Sequence, residues 1–185
     1  MKDYVPTKIL HDFVELIERL GIEYMLTGPM AMMRYAGFRQ TADIDIILEL
    51  FEEDKAEFIK ALEADYYIPL QSLSGAVETN KMFNVIHFET AFKVDCVLKK
   101  TTGYQEGAFE RRERTDYYGR EIWIISKEDL ILSKLLWAKD SLSEMQFRDI
   151  KNLMRAGFDE NYTEGWIEKL GISDGYFRCK KEAES

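Results

Sequence analysis

Residues 24–48 read YMLTGPMAMMRYAGFRQTADIDIIL, in which a short apolar segment ends in a TGP turn and a second apolar segment opens with Asp43-Ile44-Asp45. Successive side chains of a strand point to opposite faces, so Asp43 and Asp45 share one face and Ile44 lies on the other. Two like charges this close repel each other, and a divalent cation with oxygen ligands relieves the repulsion. The stretch therefore predicts a strand, a short helix and a second strand with a polar edge suited to a metal ion.

The rest of the chain predicts helices and strands around this start. Apolar residues at helical spacing indicate helices, β-rich runs indicate strands, and the polar, glycine-containing segment 71–81 predicts a loop. We expect an α/β (α+β) fold, with a core over residues 1–125 and a C-terminal helical segment over 126–185, capped by Ser126 and packed on the core as one compact unit. The predicted helices cover 7–21, 31–35, 52–64, 104–112, 127–139, 142–154 and 162–170, and the predicted strands cover 23–26, 42–48, a hairpin of 82–88 with 91–98, and part of 117–125.

Composition narrows the class of protein. The chain has 185 residues, a formal charge of −9 and 46% hydrophobic residues, which describe a folded domain and favour small substrates over long nucleic acids, although a local basic groove is compatible with them. Cys96 and Cys179 have neither disulfide nor zinc spacing, which indicates a reducing cytoplasm. No apolar run approaches the roughly 20 residues that cross a bilayer, and the N-terminus lacks the apolar core of a signal peptide, so we expect no membrane partner.

A third carboxylate stands in a later strand. Asp95 lies alone among the apolar residues Val94, Cys96 and Val97. A charged side chain is unusual in so apolar a strand, because burying it without a partner is costly. Its presence makes physical sense if Asp95 faces the same edge as the two earlier aspartates.

In this order, the segments resemble the signature of the nucleotidyltransferase fold of the polymerase-beta type, in which a glycine turn and a short helix precede a D-x-D strand and a third acidic strand residue. The chain is most similar to the AbiEii-like group, which includes toxin nucleotidyltransferases. The segment EDLILSKLLWAKDSLSEMQFRDIKNLM (128–154) resembles the helix pair of that group. The matching residues are Gly28, Ala31, Gly37, Arg39, Thr41, Asp43, Asp45, Ile46, Asp95, Lys134, Arg148 and Asp149.

The resemblance implies a Mg²⁺-dependent enzyme that moves a nucleoside monophosphate from a nucleoside triphosphate (NTP) to an acceptor hydroxyl and releases pyrophosphate. It implies as acceptor the 3′ end of a tRNA, a protein side chain or a small molecule, and the toxin members imply an antitoxin partner. The implied metal ligands are Asp43, Asp45 and Asp95, of which Asp95 also helps to activate the acceptor hydroxyl. The implied nucleotide-binding residues are Thr27, Gly28, Arg39, Thr41 and Lys134, and the implied catalytic set is Asp43, Asp45, Asp95, Lys134 and Asp149.

Two departures from the family pattern leave a second interpretation open. Pro29 stands where the family has Gly or Ser and removes a backbone N–H that could bind phosphate, and Asn152 stands where the helix pattern has another acid. The alternative is a catalytically impaired module of the same fold that binds a nucleotide or a partner. Lys134 could also be a solvated helix residue, and the adjacent Arg148 and Asp149 a local ion pair worth under about 1 kcal/mol.

Overall fold

The computed structural model describes residues 4–38, 40–141 and 143–184, so Arg39 lies outside the described residues. Within this part of the chain the strands are β1 Tyr24–Thr27, β2 Asp43–Leu48, β3 Tyr66–Tyr67, β4 Met82–His87, β5 Lys93–Leu98, β6 Glu113–Asp116 and β7 Glu121–Ile124. They form one sheet in the order β3-β4-β5-β2-β1-β7-β6. β2 is parallel to β5 and β1 to β7, and the other neighbours are antiparallel.

Helices flank this mixed sheet, which confirms the predicted α/β (α+β) fold class. The hairpin of β4 with β5 is confirmed as well, and so is the Ser126 cap, whose hydroxyl accepts from the backbone N–H of Asp129 at 3.2 Å. No helix among the described residues combines the length and the apolar character needed to span a membrane. The helices are α1 Val5–Arg19, α2 Gly28–Ala36, α3 Lys55–Leu62 after a 3-10 turn at Glu52–Asp54, α4 Leu70–Thr79, α5 Gly103–Glu110, α6 Lys127–Ser141, α7 Glu144–Arg155, α8 Glu160–Leu170 and α9 Ser173–Ala183.

Two helices cover the apolar face of the sheet near its β3 edge. Phe13 of α1 meets Tyr66 of β3 edge to face with ring centroids 5.7 Å apart, and Phe58 of α3 meets Phe83 of β4 in the same way at 5.8 Å. All four rings are buried. Since side chains alternate along each strand, this packing directs the remaining residues of the strands to the opposite face.

The chain divides into two compact units. The first comprises the described residues of 1–30 and 40–125 and contains the whole sheet, and the second comprises those of 31–39 and 126–185. Within the second unit α6 packs against α7, α8 and α9. The chain passes from the first unit to the second within α2, and again between Ile125 and Ser126.

The prediction of a loop over 71–81 is wrong, because α4 forms there. Leu73 and Ala76 lie on one side of this helix and are buried, and Asn80 ends it with a left-handed φ of 53°. Burial of that apolar side outweighs the low helix propensity of Gly75 and the neighbouring serines. The edge strand β6 also escaped prediction, since its residues are charged and almost entirely exposed.

The turn between β4 and β5 yields a stability prediction. Ala91 has a φ of 54°, a conformation that costs a residue with a Cβ about 1–2 kcal/mol. We expect Ala91→Gly to stabilise the protein by about 0.5–1 kcal/mol in guanidinium unfolding. Ala56→Gly, on the exposed side of α3, is the control and should destabilise by up to about 1 kcal/mol. Changes of the same sign in both variants would contradict the argument.

Candidate functional site

Four polar residues form one row across the sheet. The register places Thr27 of β1 opposite Asp45 of β2, Asp45 opposite Asp95 of β5, and Asp95 opposite Asn84 of β4. Paired residues of neighbouring strands point to the same face of the sheet, and neighbouring strands lie about 4.7–4.9 Å apart. The carboxylates of Asp45 and Asp95 are therefore neighbours on one face.

Asp43 joins the same face one row away, where it pairs with Lys93 of β5. Ile44, which lies between the two aspartates of β2, and Ile46, which follows the second, point into the core and have no exposed surface. Period-two alternation therefore gives β2 one acidic face and one apolar face. We call the side chains of Asp43, Asp45 and Asp95 together the carboxylate face.

Lys93 brings a positive charge to the carboxylate face. Its Nζ lies 2.7 Å from Asp95 Oδ2 and 3.9 Å from Asp43 Oδ2. The hydrogen bond from Lys93 to Asp95 raises the pKa of the ammonium, and the charges of Asp95, Asp43 and Asp45 add to this, while partial burial opposes it. Lys93 is therefore charged at neutral pH.

Asp95 is the most deeply placed of the three carboxylates, with 7% of its surface exposed. Its Oδ2 accepts from Lys93, but its Oδ1 is buried and receives no hydrogen bond from any described residue. A buried oxygen without a donor is costly, because it has lost its water and gained nothing in exchange. Such an atom in a native fold indicates a missing partner, for example a cation or a substrate hydroxyl.

Thr41 holds Asp43 in place. The Thr41 hydroxyl lies 3.1 Å from Asp43 Oδ1 and 3.0 Å from the Asp43 carbonyl oxygen, and it accepts from the Asp43 N–H at 3.4 Å. Side-chain bonds of this short-range kind fix the backbone just before a strand begins. The hydroxyl that the family resemblance assigns to phosphate is therefore engaged with a carboxylate of the site.

Gly28 allows α2 to start directly against Asp45. It has a φ of +66°, and a Cβ built on it would lie 2.8 Å from the Asp45 Cβ and 2.7 Å from the Asp45 Cγ. Both the backbone conformation and the close approach therefore require glycine. Pro29 follows in the first turn, where a missing N–H breaks no bond within the helix.

The second unit holds a separate buried polar cluster. Lys134 Nζ of α6 lies 3.0 Å from Asp149 Oδ2 and 3.1 Å from Gln146 Oε1, both on α7. All three residues are at least 95% buried. Burying charges is costly unless they are paired and hydrogen-bonded, so this triad stabilises the α6–α7 packing only as a complete set.

The structure thus groups the predicted site residues in two places. Thr27, Gly28, Thr41 and the three aspartates lie together in the first unit, and Lys134 and Asp149 lie in the second. Sequence reasoning missed Lys93, Asn84 and Gln146. Lys93 could have been found, because it stands two residues before Asp95 and so shares its face. Asn84 and Gln146 depend on register and helix packing, for which no local signal exists.

No protein-family model and no curated protein sequence matches the chain significantly. Solved structures do match. The lincomycin-bound lincosamide antibiotic adenylyltransferase LnuA has a TM-score of 0.56 and 24% identity, over 80% of this chain and 95% of that chain. The antibiotic-resistance factor ANT(2'')-Ia has a TM-score of 0.62 and 14% identity, over 98% and 95%. An antigenic nucleotidyltransferase-like protein from Paracoccidioides brasiliensis has a TM-score of 0.51 and 16% identity, over 80% and 72%.

The chain has a nucleotidyltransferase fold. This confirms the fold that the glycine turn and the D-x-D strand predict. At sequence identities of 14–24% most side chains differ between these proteins and this chain, so the agreement of their backbones shows the fold alone. Membership of the AbiEii-like group stays a prediction from the sequence.

A nucleotidyltransferase fold implies a divalent metal, and the chemistry of the carboxylate face fits one. Asp43, Asp45 and Asp95 offer oxygen ligands of the kind that Mg²⁺ prefers, and the orphaned Asp95 Oδ1 is one of them. Among the described residues no three Asp, Glu, His or Cys side chains converge tightly enough to hold one ion. The Lys93 ammonium lies among these carboxylates, within ion-pair distance of both Asp43 and Asp95.

The contact between Gly28 and Asp45 yields a matched pair of variants. We expect Gly28→Ala to destabilise the protein by more than Gly37→Ala, because both glycines have left-handed φ values but only Gly28 faces a neighbouring side chain. The backbone term is common to both and is about 1–2 kcal/mol. Chemical unfolding measures the difference. Equal losses in the two variants would show that the approach to Asp45 is not a constraint.

The buried triad of the second unit yields a double-mutant cycle. We expect Asp149→Leu alone to cost about 3–5 kcal/mol, because it leaves the Lys134 ammonium buried without its carboxylate. Adding Lys134→Met should recover most of that loss, since two apolar side chains can share the space. Calorimetric unfolding of the single and double variants gives the coupling energy. Additive losses would contradict a paired role.

Proposed function

We propose that this chain is a Mg²⁺-dependent nucleotidyltransferase that moves a nucleoside monophosphate from an NTP to an acceptor hydroxyl. The observation that supports this most is the carboxylate face, on which Asp45 and Asp95 are neighbours and Asp43 lies one row away. Asp45 also lies against Gly28, where α2 begins. Aspartates that served only as solvated surface residues would not be held this close together, because separated carboxylates avoid mutual repulsion and are better solvated.

In the proposed reaction the acceptor oxygen attacks the α-phosphorus of the NTP. The bond from that phosphorus to the β-bridging oxygen breaks, and pyrophosphate leaves with the electron pair. Asp95 helps to activate the acceptor hydroxyl and accepts its proton. Divalent ions held by Asp43, Asp45 and Asp95 would neutralise the triphosphate and the charge that develops during transfer.

The remaining site residues are proposed for binding and positioning. Gly28 lets the backbone at the start of α2 approach the phosphates, with Thr27 beside it in the row of Asp45. Thr41 orients Asp43 through its hydroxyl. For Arg39, Lys134 and Asp149 the family resemblance implies roles in nucleotide binding or catalysis, and within the second unit Lys134 and Asp149 form an ion pair.

We propose a small molecule with a hydroxyl group as the acceptor. Two of the matching structures are named for antibiotic substrates or resistance, and the alignment covers 95% of each of those chains. The formal charge of −9 favours a small acceptor over a tRNA. The tRNA end and the protein side chain stay as alternative acceptors, and an antitoxin partner rests on the AbiEii-like resemblance. Cys96 and Cys179 are free and buried, which fits the cytoplasmic location that we propose.

A non-catalytic binding module is the second candidate, and Pro29 favours it. A proline in the first turn of α2 leaves one N–H fewer at the helix start that the proposal assigns to phosphate. Loss of that donor weakens phosphate binding without removing the metal ligands. A protein of this kind would bind a metal ion and a nucleotide without transferring the nucleotidyl group.

A thermal-shift titration against ATP, GTP, CTP and UTP, each with and without Mg²⁺, tests the proposal. We expect one NTP to stabilise the protein only with Mg²⁺, by about 2.7 kcal/mol at a hundredfold excess over its Kd. The double variant Asp43→Asn with Asp45→Asn should lose the response. Glu49→Gln should keep it, because Glu49 directly follows β2 but pairs with Lys99 away from the site.

The outcomes separate the two candidates. Transfer of label from an α-phosphate-labelled NTP to a hydroxylated acceptor supports the enzyme. Mg²⁺-dependent binding without transfer to a small molecule, tRNA or protein supports the binding module. A flat response to every NTP would remove the nucleotide site altogether.

A further inference from the structure

Lys93 is the first residue of β5 and stands directly at the carboxylate face, although no part of the proposed reaction uses it. We propose that Lys93 is a built-in counter-cation, which neutralises Asp43 and Asp95 while no divalent ion is bound and releases them when one binds. The inference rests on the proposed function, because it takes Asp43, Asp45 and Asp95 as the metal ligands. It assigns to Lys93 a positioning role through these carboxylates.

The fold concentrates negative charge on the carboxylate face. Three aspartates lie close together on two parallel strands, and the core packing of the alternate residues keeps all three on the same face of the sheet. Like charges held this close destabilise the folded protein unless a cation lies among them. Among the described residues Lys93 is the cation that forms an ion pair with two of the three.

The Lys93 ammonium lies between two carboxylates of this face. Lys93 Nζ is at hydrogen-bond distance from Asp95 Oδ2 and at ion-pair distance from Asp43 Oδ2, so it lies on the surface that the two carboxylates share. A divalent ion bound by the same carboxylates would compete with the ammonium for their negative charge. An ammonium at these carboxylates weakens the binding of a divalent ion there, because the two cations repel each other.

The ammonium of Lys93 is free to move away from the carboxylate face. Its side chain is 40% exposed, and its four-carbon stem is flexible. Lys134 in the second unit offers a contrast, since its side chain is only 5% exposed and it is enclosed by Asp149 and Gln146. Lys93 can therefore move into solvent with its charge, where an ammonium is well hydrated.

Two consequences follow for the wild-type protein. The metal-free fold is stabilised by its own lysine and does not need an ion to assemble the sheet. Metal binding is weakened, because each ion must first displace the ammonium from Asp95 and Asp43. A substitution that removes the charge and keeps the length of the side chain should reverse both effects.

Lys93→Met and Lys99→Met form a matched test. Each removes one positive charge, and Lys99 stands just past the other end of β5, where its Nζ pairs with Glu49 at 2.6 Å. Mn²⁺ binding is measured by isothermal titration calorimetry, and thermal unfolding is followed in chelator and in Mn²⁺. We expect Lys93→Met to bind Mn²⁺ about tenfold more tightly than wild type. We also expect it to melt lower in chelator and to gain more from Mn²⁺, whereas Lys99→Met keeps the wild-type affinity.

Each other outcome has a definite meaning. If wild type binds Mn²⁺ and Lys93→Met binds it equally or more weakly, the inference is overturned and the proposed function stands. An equal gain in Lys93→Met and Lys99→Met would also overturn it, since the effect would then come from net charge. If wild type and both variants all fail to bind Mn²⁺, the metal site is absent, and the proposed function falls together with the inference.

Discussion

The parallel pairing of β2 with β5 in one register is the constraint on which the candidate site depends. That register sets Ile44 and Ile46 beside Val94 and Cys96 in the core, and it sets the aspartates beside one another on the other face. A slip of one residue would turn every side chain of a strand to the wrong face. The carboxylate face is thus held by hydrophobic burial on the reverse side of the same two strands.

Each carboxylate of the face has its own local support. Gly28 leaves room for Asp45, Thr41 fixes Asp43, and Lys93 pairs with Asp95. Preorganised charge of this kind is useful for phosphate chemistry, because the groups need no rearrangement when charge develops. It also opposes folding, since the like charges repel. Gly28, Thr41 and Lys93 therefore serve the same purpose. They keep three negative charges in place on a face of the sheet that the hydrophobic core does not cover.

The two lysines near predicted site residues differ in environment and so in role. Lys134 is buried against Asp149 and Gln146 of α7, and removing Asp149 would take away the opposite charge of this ion pair in a medium of low dielectric constant. A phosphate could reach Lys134 only if the triad opened. Lys93, the first residue of β5, is partly exposed at the carboxylate face and can exchange its carboxylates for water at little cost. The difference in burial therefore gives the two lysines different roles: Lys134 is structural, whereas Lys93 can change its partners.

Local periodicity and a short ordered motif were enough to predict the strand–helix–strand start, the shared face of Asp43 and Asp45, the β4–β5 hairpin and the fold. Local patterns failed at 71–81, where a polar segment became α4 by burying Leu73 and Ala76 against the rest of the protein. Three contacts could be seen only in the folded chain: Asp45 is the neighbour of Asp95, Lys93 forms ion pairs with both Asp43 and Asp95, and Lys134 is enclosed by its partners. These contacts join residues far apart in the chain, and strand register and side-chain burial, which no local pattern encodes, bring them together.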